Sequence, residues 1–482
     1  MLFNSLDFAL FLPLVFLIYW FGFQRNIRAQ NAWLVIASYV FYGWWDYRFL
    51  SLILFSTVVD YSIGWFLGKD LPSRTRKVLL WLSLGVNLGL LGFFKYYHFF
   101  LDNFIAAFRL FGQEFEASSL SIILPVGISF YTFQTLSYSI DLYRRKIQPT
   151  RDFLAFAAYV SFFPQLVAGP IERAGQLLPQ FFFKRVFNYS LAVQGMRQIL
   201  WGLFKKVVVA DNAALIANAI FNNSDDYGGS TLLLGAIFFA FQIYGDFSGY
   251  SDIAIGTARL FGFRLMQNFA FPYFSRDIAE FWRRWHISLS TWFRDYVYIP
   301  LGGSKGGVSM KLRNTFAIFL ISGFWHGANW TFIIWGALNA LYFLPLLLTK
   351  NNRKNLEIVA YQSRFPKGRE FLSMIGTFLL TTLAWVFFRA ENVSHAWSYL
   401  EGIFSITLFQ AIPTARFDNF YLSLFFIFLL LLIEWFGRRG SFALEKLDFV
   451  AYRWLRWTIY LLLAWIIFLF AGKEEAFIYF QF

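Results

Sequence analysis

Residues 418–436 read DNFYLSLFFIFLLLLIEWF, and this stretch decides the fold class. Only Asp418, Asn419, Ser423 and Glu434 interrupt its apolar and aromatic side chains. A helix that crosses a bilayer needs about 20 consecutive, mostly apolar residues. The stretch therefore predicts a transmembrane helix.

Comparable apolar runs occur along the whole chain. They predict further helices near residues 8–23, 31–46, 49–67, 78–94, 120–142, 207–221, 231–248, 314–331, 334–349, 371–388 and 454–471. The first run has no basic segment before it and no small-residue cleavage site after it, so we interpret it as a retained helix. The predicted fold is an all-α polytopic membrane protein with about a dozen spanning helices. We expect one membrane domain over residues 1–482, with a catalytic core at about 120–349.

Composition supports lipid as the main solvent of this chain. Hydrophobic residues make up 58% of the 482 positions and charged residues 15%, against roughly 25% charged in an average soluble domain. The net charge of +14 comes from short Lys and Arg clusters between apolar runs, which does not favour a nucleic-acid partner. Cysteine is absent, which excludes an acyl-cysteine intermediate on this chain.

The charged loops predict a topology. Short cytoplasmic loops carry excess Lys and Arg, so the basic segments 25–28, 69–77, 144–151, 276–313, 350–369 and 438–439 are assigned to the cytoplasm. The acidic segments 113–116, 225–226 and 474–475 are assigned outside, together with the N-terminus. Residues 153–169 and 279–300 contain Pro or many charges, and we expect them to be re-entrant or interfacial.

The first candidate site is the segment Gly323-Phe324-Trp325-His326-Gly327, which lies within an apolar run. Its histidine is expected roughly 18 Å along the predicted helix, past the middle of a bilayer core. An ionisable residue at that depth indicates function. Ser322 and Asn329, at i−4 and i+3, are expected to share its face and to set the imidazole tautomer. The alternative is a neutral core histidine whose flanking glycines serve helix packing.

The second candidate site lies in residues 280–295, interpreted as one helix. An apolar stripe formed by Trp282, Trp285, Leu289, Trp292 and Phe293 is flanked by His286 and by a polar strip of Arg283, Ser290 and Arg294. Guanidinium groups beside an imidazole suit an anionic, phosphorylated acyl donor. The alternative is an interfacial helix whose Trp and Arg residues face lipid headgroups.

Other polar residues in apolar surroundings receive structural interpretations. The segment Asp246 to Asp252 is expected to cap the next helix and form hydrogen bonds, with binding of an ion or orientation of a base as alternatives. The pair Lys205-Lys206 is expected to anchor a helix at the membrane interface, with a ligand site as the alternative. His98 and His395 are interpreted as structural. The sequence contains no phosphate-binding loop, dinucleotide motif or paired metal-ligand motif in a credible context.

Several of these motifs together resemble the membrane-bound O-acyltransferase superfamily, and within it the bacterial branch that acetylates alginate and peptidoglycan. The resemblance covers nearly the whole chain. It is carried by residues 125–130, 163–171, 246–252, 281–303, 323–327 and 477–482. The two histidine motifs, in their expected order, are its most specific part.

The resemblance implies a fold, a reaction and roles for residues. The family fold is a ring of tilted helices around a thinned centre, with a cytoplasmic funnel. His326 matches the essential histidine, expected to act as general base, and His286 matches the second histidine, expected to orient the donor or stabilise an oxyanion. Residues expected to bind the acyl donor, which is acetyl-CoA or another acyl thioester, are Arg283, Arg284, Ser290, Arg294, Trp325 and Asn329, with Lys305, Lys311 and Arg313 as further candidates for its phosphates.

The resemblance also implies a location and partners. It favours the bacterial cytoplasmic membrane and a periplasmic or cell-surface acetyltransferase that completes the transfer to a polysaccharide. No bound cofactor or metal is expected. Three alternatives remain open: D-alanyl or other acyl transfer in the teichoic-acid branch, a transporter without bond chemistry, and a scaffold for polysaccharide export.

Overall fold

The computed structural model describes residues 1–112, 120, 122–167, 169–447, 450, 452–470 and 477–478. All regular elements within these residues are helices, as the sequence predicts. The chain forms two compact units, one of Met1–Ala192 with Thr257–Leu265 and one of Val193–Gly256 with Met266–Phe482. The assignment of residues 1–482 to one membrane domain stays a prediction. The segments 113–116, 474–475 and 479–482, to which the sequence assigned topology or family likeness, lie outside the described residues.

Among the described residues, seven helices are long and apolar enough to cross a membrane. They are Tyr47–Leu67, Ser73–Leu110, Gly229–Leu260, Trp330–Leu348, Gly368–Arg389, Phe420–Gly437 and Arg453–Phe470. Leu6–Gly22 is a shorter apolar helix. Other apolar runs form shorter or less apolar helices, such as the 16-residue Ile128–Tyr143. The chain is therefore a polytopic helical membrane protein.

The first unit contains eight α-helices within its described residues. They are α1 (Leu6–Leu17), α2 (Ile27–Gly43), α3 (Leu50–Leu67), α4 (Ser73–Leu110), α5 (Ile128–Tyr143), α6 (Phe153–Ser161), α7 (Phe163–Leu166) and α8 (Ala174–Leu177). The predicted irregular segment 153–169 is the broken pair α6 and α7, and the break falls at Phe162.

A buried carboxylate joins three helices of the first unit. Asp60 of α3 accepts hydrogen bonds from Ser83 Oγ at 2.6 Å and Asn87 Nδ2 at 2.9 Å, both on α4, and from Ser139 Oγ of α5 at 3.2 Å. Buried polar groups are stable only when such partners satisfy them. The sequence analysis did not single out this cluster.

The second unit contains most of α9 and α11 and all of the later helices among the described residues. Their bounds are α9 (Tyr189–Leu203), α10 (Asp211–Phe221), α11 (Gly229–Leu260), α12 (Ile278–Arg284), α13 (Ile287–Phe293), α14 (Val308–His326), α15 (Trp330–Leu348), α16 (Gly368–Arg389), α17 (Val393–Ile403), α18 (Phe420–Gly437) and α19 (Arg453–Phe470). A π-helical turn, Phe204–Ala210, connects α9 to α10.

Two predictions about helices of this unit are wrong. The predicted helix 314–331 ends at His326 because the next residue, Gly327, is extended at φ −161° and ψ 152°. The predicted helix 231–248 continues to Leu260 as α11, so the acidic segment 246–252 lies inside a helix and does not cap the next one. α11 also approaches α9 closely, because Gly202 and Gly249 each face the other's backbone carbonyl.

Candidate active site

His326 lies at the C-terminal end of α14, inside a cluster of aromatic rings. Its side chain is buried, with the residue 4% exposed. The imidazole meets Trp335 of α15 edge-on, with ring centroids 5.1 Å apart, and Phe388 of α16 at 5.3 Å. Three helices therefore position this ring.

The position expected for Asn329 is wrong. We expected it on the same helical face as His326, but the helix has already ended, and Asn329 instead caps the start of α15. Its side chain accepts a hydrogen bond from Thr331 N at 3.0 Å and donates one to Glu391 O at 2.8 Å. Side chains of Asn commonly cap helix N-termini in this way.

The glycines of the motif permit close helix packing, as their spacing indicates. A Cβ atom on Gly323 would come within 3.0 Å of Phe332 O, and one on Gly336 within 3.0 Å of Phe319 O. The backbones of α14 and α15 thus meet where only glycine fits. Gly327 is similarly crowded, by the ring of Phe332. Helix packing and the placement of His326 depend on the same residues.

His286 lies in a break between two short helices, and the prediction of one continuous helix over 280–295 is wrong. α12 ends at Arg284, and α13 begins at Ile287. His286 itself adopts φ 44° and ψ 55°, the left-handed region. This conformation costs a non-glycine residue about 1–2 kcal/mol, so surrounding contacts must stabilise it.

Residues 268–270 supply those contacts. Ile287 N donates to Asn268 O at 2.9 Å, and Ala270 N donates to Arg284 O at 2.9 Å, so both sides of the break are bonded to the same segment. The side-chain oxygen of Asn268 lies 3.1 Å from His286 Nδ1. Burial lowers the pKa of His286 to about 3, which keeps the ring neutral at physiological pH.

The indole of Trp325 lies near both candidate histidines. Its ring centroid is 6.2 Å from that of His286 and 4.8 Å from that of His326. His286 and His326, which are 40 residues apart in the sequence (326 − 286), thus lie on either side of one aromatic side chain. The structure brings together the two histidines and Trp325.

Arg283 and Arg284 contact protein groups. Arg284 Nη2 forms an ion pair with Glu280 Oε1 at 2.7 Å, and Glu280 is 1% exposed. Arg283 donates to Asn352 O and Asn355 O, both at 2.8 Å. These bonds connect α12 to the loop before α16 and favour a structural contribution from both arginines. Their binding of an acyl donor stays a prediction.

A cavity of about 240 Å³ lies between α12–α13 and α14–α15. The predicted residues Ser290 and Arg294 line it, although Arg294 Nε also bonds Asp295 Oδ1 at 2.7 Å. Ser322 lines it as well, one helical turn before His326. The sequence analysis did not single out Arg353. The full lining is Trp282, Leu289, Ser290, Phe293, Arg294, Tyr298, Ser304, Thr315, Ile318, Phe319, Ser322, Phe343, Leu347, Asn352 and Arg353.

The interpretation of Lys205 and Lys206 as interfacial anchors is wrong. Both are buried, and each pairs with acidic residues: Lys205 with Asp252, and Lys206 with Asp211 at 2.7 Å and Asp246 at 2.8 Å. The sequence did contain a signal for this ion-pair network: lysines and aspartates both occur within apolar runs, and buried charges require partners of opposite sign.

Helix α11 also contacts Phe477, Ile478 and Glu434. Ile478 N donates to Asp246 Oδ2 at 2.7 Å, and the ring of Phe477 lies 4.2 Å from that of Tyr250. Glu434 accepts from Tyr244 Oη at 2.7 Å. Hydrogen bonding by the acidic segment, as predicted, is confirmed.

The other two histidines lie in helices. His395 is in the first turn of α17, where its Nε2 is 3.4 Å from Ser224 Oγ, and His98 is exposed on α4 beside Tyr97.

The cavity wall thus includes Ser322, one helical turn before the buried His326, within a helical membrane protein. The model of the membrane-bound O-acyltransferase family matches residues 45–364. The chain therefore belongs to this family, and it is an O-acyltransferase.

Individual relatives agree with the family. The protein named "Probable alginate O-acetylase AlgI" of Azotobacter vinelandii is 44% identical over 84% of this chain and 78% of its own length. "Peptidoglycan O-acetyltransferase" of Helicobacter pylori is 38% identical over 84% of this chain and 80% of its own length. "Teichoic acid D-alanyltransferase" of Streptococcus thermophilus is 29% identical over 50% of this chain and 62% of its own length.

Proposed function

We propose that the protein transfers an acetyl group from cytoplasmic acetyl-CoA towards the outer side of the bacterial cytoplasmic membrane. The acceptor is an extracytoplasmic polysaccharide or a partner acetyltransferase that completes the transfer. The observation that carries this proposal is the cavity lined by Arg294, Arg353 and Ser322, which approaches the buried His326 within one helical turn. Apolar walls with a few convergent polar groups are typical of ligand sites.

The charge of the cavity suits the donor. Arg294 and Arg353 are exposed, and both belong to basic segments that the positive-inside rule assigns to the cytoplasm. Guanidinium groups bind phosphates through paired hydrogen bonds. Coenzyme A phosphates at these two arginines leave the apolar part of the cavity to the pantetheine arm, with the thioester directed towards Ser322.

His326 then acts as general base. It removes the proton from the acceptor hydroxyl as that oxygen attacks the thioester carbonyl carbon. The new C–O bond forms, the C–S bond breaks, and the CoA thiolate takes a proton from the imidazolium to leave as the free thiol. Proton transfer by a positioned side chain contributes about 10²–10⁴-fold to such rates.

Replacement of His326 tests this role. His326→Ala is expected to lower the transfer rate by at least about 10²-fold, while His98→Ala, at an exposed histidine, retains activity. The readout is ester-linked acetate that mild alkali releases from the envelope of cells whose only copy is the variant, with equal membrane levels verified by immunoblot. A His326→Ala protein that acetylates like wild type contradicts the proposed base.

The relatives support acetyl as the acyl group. The two relatives named as acetyl-transferring enzymes match 84% of this chain, whereas the D-alanyltransferase of Streptococcus thermophilus matches 50%. Chromatography of the alkali-released material distinguishes acetate from D-alanine. Release of D-alanine without acetate would contradict acetyl transfer and would support D-alanyl transfer, as in the teichoic-acid branch.

A transporter is separated from an acyltransferase by removing the compartments. Protein purified in detergent and mixed with its host's envelope fraction is expected to release free CoA from acetyl-CoA. This chain has no cysteine and adds no thiol to the assay, so the envelope fraction alone serves as the blank. If acetyl-CoA is not consumed in detergent although the envelope of living cells carries ester-linked acetate, the result supports a transporter without acyl-transfer chemistry.

A further inference from the structure

The side-chain amide of Asn268 has a defined orientation beside His286. Its Oδ1 accepts from Ser288 N at 3.3 Å and from Ser288 Oγ at 2.8 Å, and its Nδ2 donates to Ser251 Oγ at 3.0 Å. A backbone N–H can only donate, so the atom facing it must be the amide oxygen.

That orientation determines which nitrogen of His286 carries the proton. Nδ1 lies 3.1 Å from the same amide oxygen and 3.4 Å from Ser288 Oγ, whose one hydroxyl hydrogen is donated to that oxygen. Two acceptors do not form a hydrogen bond, so Nδ1 carries the hydrogen and donates it. In a neutral imidazole the other nitrogen, Nε2, then has the lone pair.

The Nε2 atom of His286 makes no hydrogen bond to any residue that the structure describes. The residue is 1% exposed, and the rings of Phe247, at 4.7 Å, and Trp325, at 6.2 Å, surround the imidazole. Buried polar atoms normally have partners, and an unsatisfied one at a candidate site indicates where a ligand group binds. α13, which His286 precedes, contributes Leu289 and Ser290 to the cavity wall.

We propose that Asn268 is a positioning residue that fixes His286 as its Nδ1–H tautomer, so that Nε2 accepts a hydrogen bond from an O–H or N–H group of a bound substrate. The proposal rests on the proposed acyl transfer for the identity of that substrate. It replaces the oxyanion role expected for His286, because a nitrogen with a lone pair and no proton cannot donate to an oxyanion. The substrate group is either the hydroxyl of the acceptor or an amide N–H of the pantetheine arm.

Nuclear magnetic resonance of protein labelled with ¹⁵N-histidine reads the tautomer directly. The chain has four histidines, and loss of one set of signals in His286→Gln assigns this ring. We expect Nδ1 protonated and Nε2 unprotonated at pH 7 without substrate. A ring protonated at Nε2, or at both nitrogens, overturns the proposal. This result does not depend on the reaction, so failure of acetyl-CoA turnover would leave it standing.

Variants of Asn268 test the cause of the tautomer. Asn268→Asp retains an oxygen acceptor and is expected to retain the Nδ1–H signal, whereas Asn268→Leu is expected to lose it. Ser251→Ala removes the contact on the nitrogen side of the amide and is the matched control, with an unchanged tautomer. An Nδ1–H signal that persists in folded Asn268→Leu assigns the tautomer to another group and overturns the role of Asn268.

Kinetics distinguish the two substrate groups that could donate a hydrogen bond to Nε2. If Nε2 binds the pantetheine amide, folded Asn268→Leu raises the KM for acetyl-CoA by about 10-fold, the effect of losing roughly one hydrogen bond. If Nε2 binds the acceptor hydroxyl, kcat falls at unchanged acetyl-CoA KM. Asn268→Asp is expected to recover most of either loss. Folded Asn268→Leu with wild-type KM and kcat contradicts any contact between Nε2 and substrate.

Discussion

A single methyl group at Gly323 tests whether the packing of α14 on α15 sets the position of His326. In Gly323→Ala the new Cβ would lie within 3.0 Å of Phe332 O, closer than Cβ atoms approach backbone in proteins. Because the obstacle is a backbone carbonyl, relief requires movement of one helix by roughly 1 Å, and close-packed interiors transmit such a movement.

The expected effect on catalysis follows from that distance. His326 lies one turn beyond Gly323 on α14, and its ring packs on Trp335 of α15. A misplacement of about 1 Å in a reacting group costs on the order of 10²-fold in rate. Overpacking of this kind also lowers the free energy of unfolding by about 1–3 kcal/mol. We therefore expect Gly323→Ala to be inserted and folded but nearly inactive.

The assay compares this variant with the same substitution at an open position. A Cβ on Gly376, in α16, would meet nothing within 4 Å, so Gly376→Ala controls for the change of residue type. Release of free CoA from acetyl-CoA gives kcat for both variants, and size-exclusion chromatography confirms that both are folded. A Gly323→Ala protein with the kcat of Gly376→Ala would refute the coupling between helix contact and catalysis.

Three further outcomes are expected. Lys206→Met leaves two buried carboxylates without their shared cation and should destabilise the protein by about 3–5 kcal/mol; a thermal midpoint equal to wild type, measured in detergent, contradicts this ion network. Arg353→Gln should raise the KM for acetyl-CoA several-fold while Lys354→Gln, at the exposed neighbour, should not, and equal effects would indicate only a change of net charge. Burial lowers the pKa of His286 from 6.5 to about 3, so below pH 6.5 the unfolded chain binds a proton that the folded chain excludes. The free energy of unfolding should therefore decline from pH 6.5 towards pH 3, and the decline should be shallower in His286→Gln.

Each of the seven spanning helices among the described residues was predicted from an apolar run, because solvation by lipid depends on local composition, whereas the other predicted runs are shorter or less apolar helices. The opening stretch 418–436 became Phe420–Gly437, and the run 49–67 became Leu50–Leu67. The histidine motifs were also visible in sequence, since an ionisable residue in an apolar run already indicates function.

Features created by distant contacts were not predictable in the same way. The apolar periodicity of residues 280–295 continues across the break between α12 and α13. Hydrogen bonds to Asn268 stabilise this break, and the local sequence does not indicate that partner. The interfacial interpretation of Lys205 and Lys206 failed because two of their three carboxylate partners, Asp252 and Asp246, lie on α11, which follows in the chain only after α10. Arg353 is a candidate for binding the acyl donor only because the loop before α16 folds against the cavity.

The π turn between α9 and α10 has a consequence for how this chain can change in length. Successive residues of an ordinary α-helix point about 100° apart, and the wider turn over Phe204–Ala210 allows two adjacent lysines to bury their charges against different carboxylates. Deletion of one residue from this turn would restore the narrower α-helical turn and move the two lysines relative to their carboxylates. We therefore expect homologous genes to accept codon insertions and deletions in their connecting loops but to preserve the residue count of this turn.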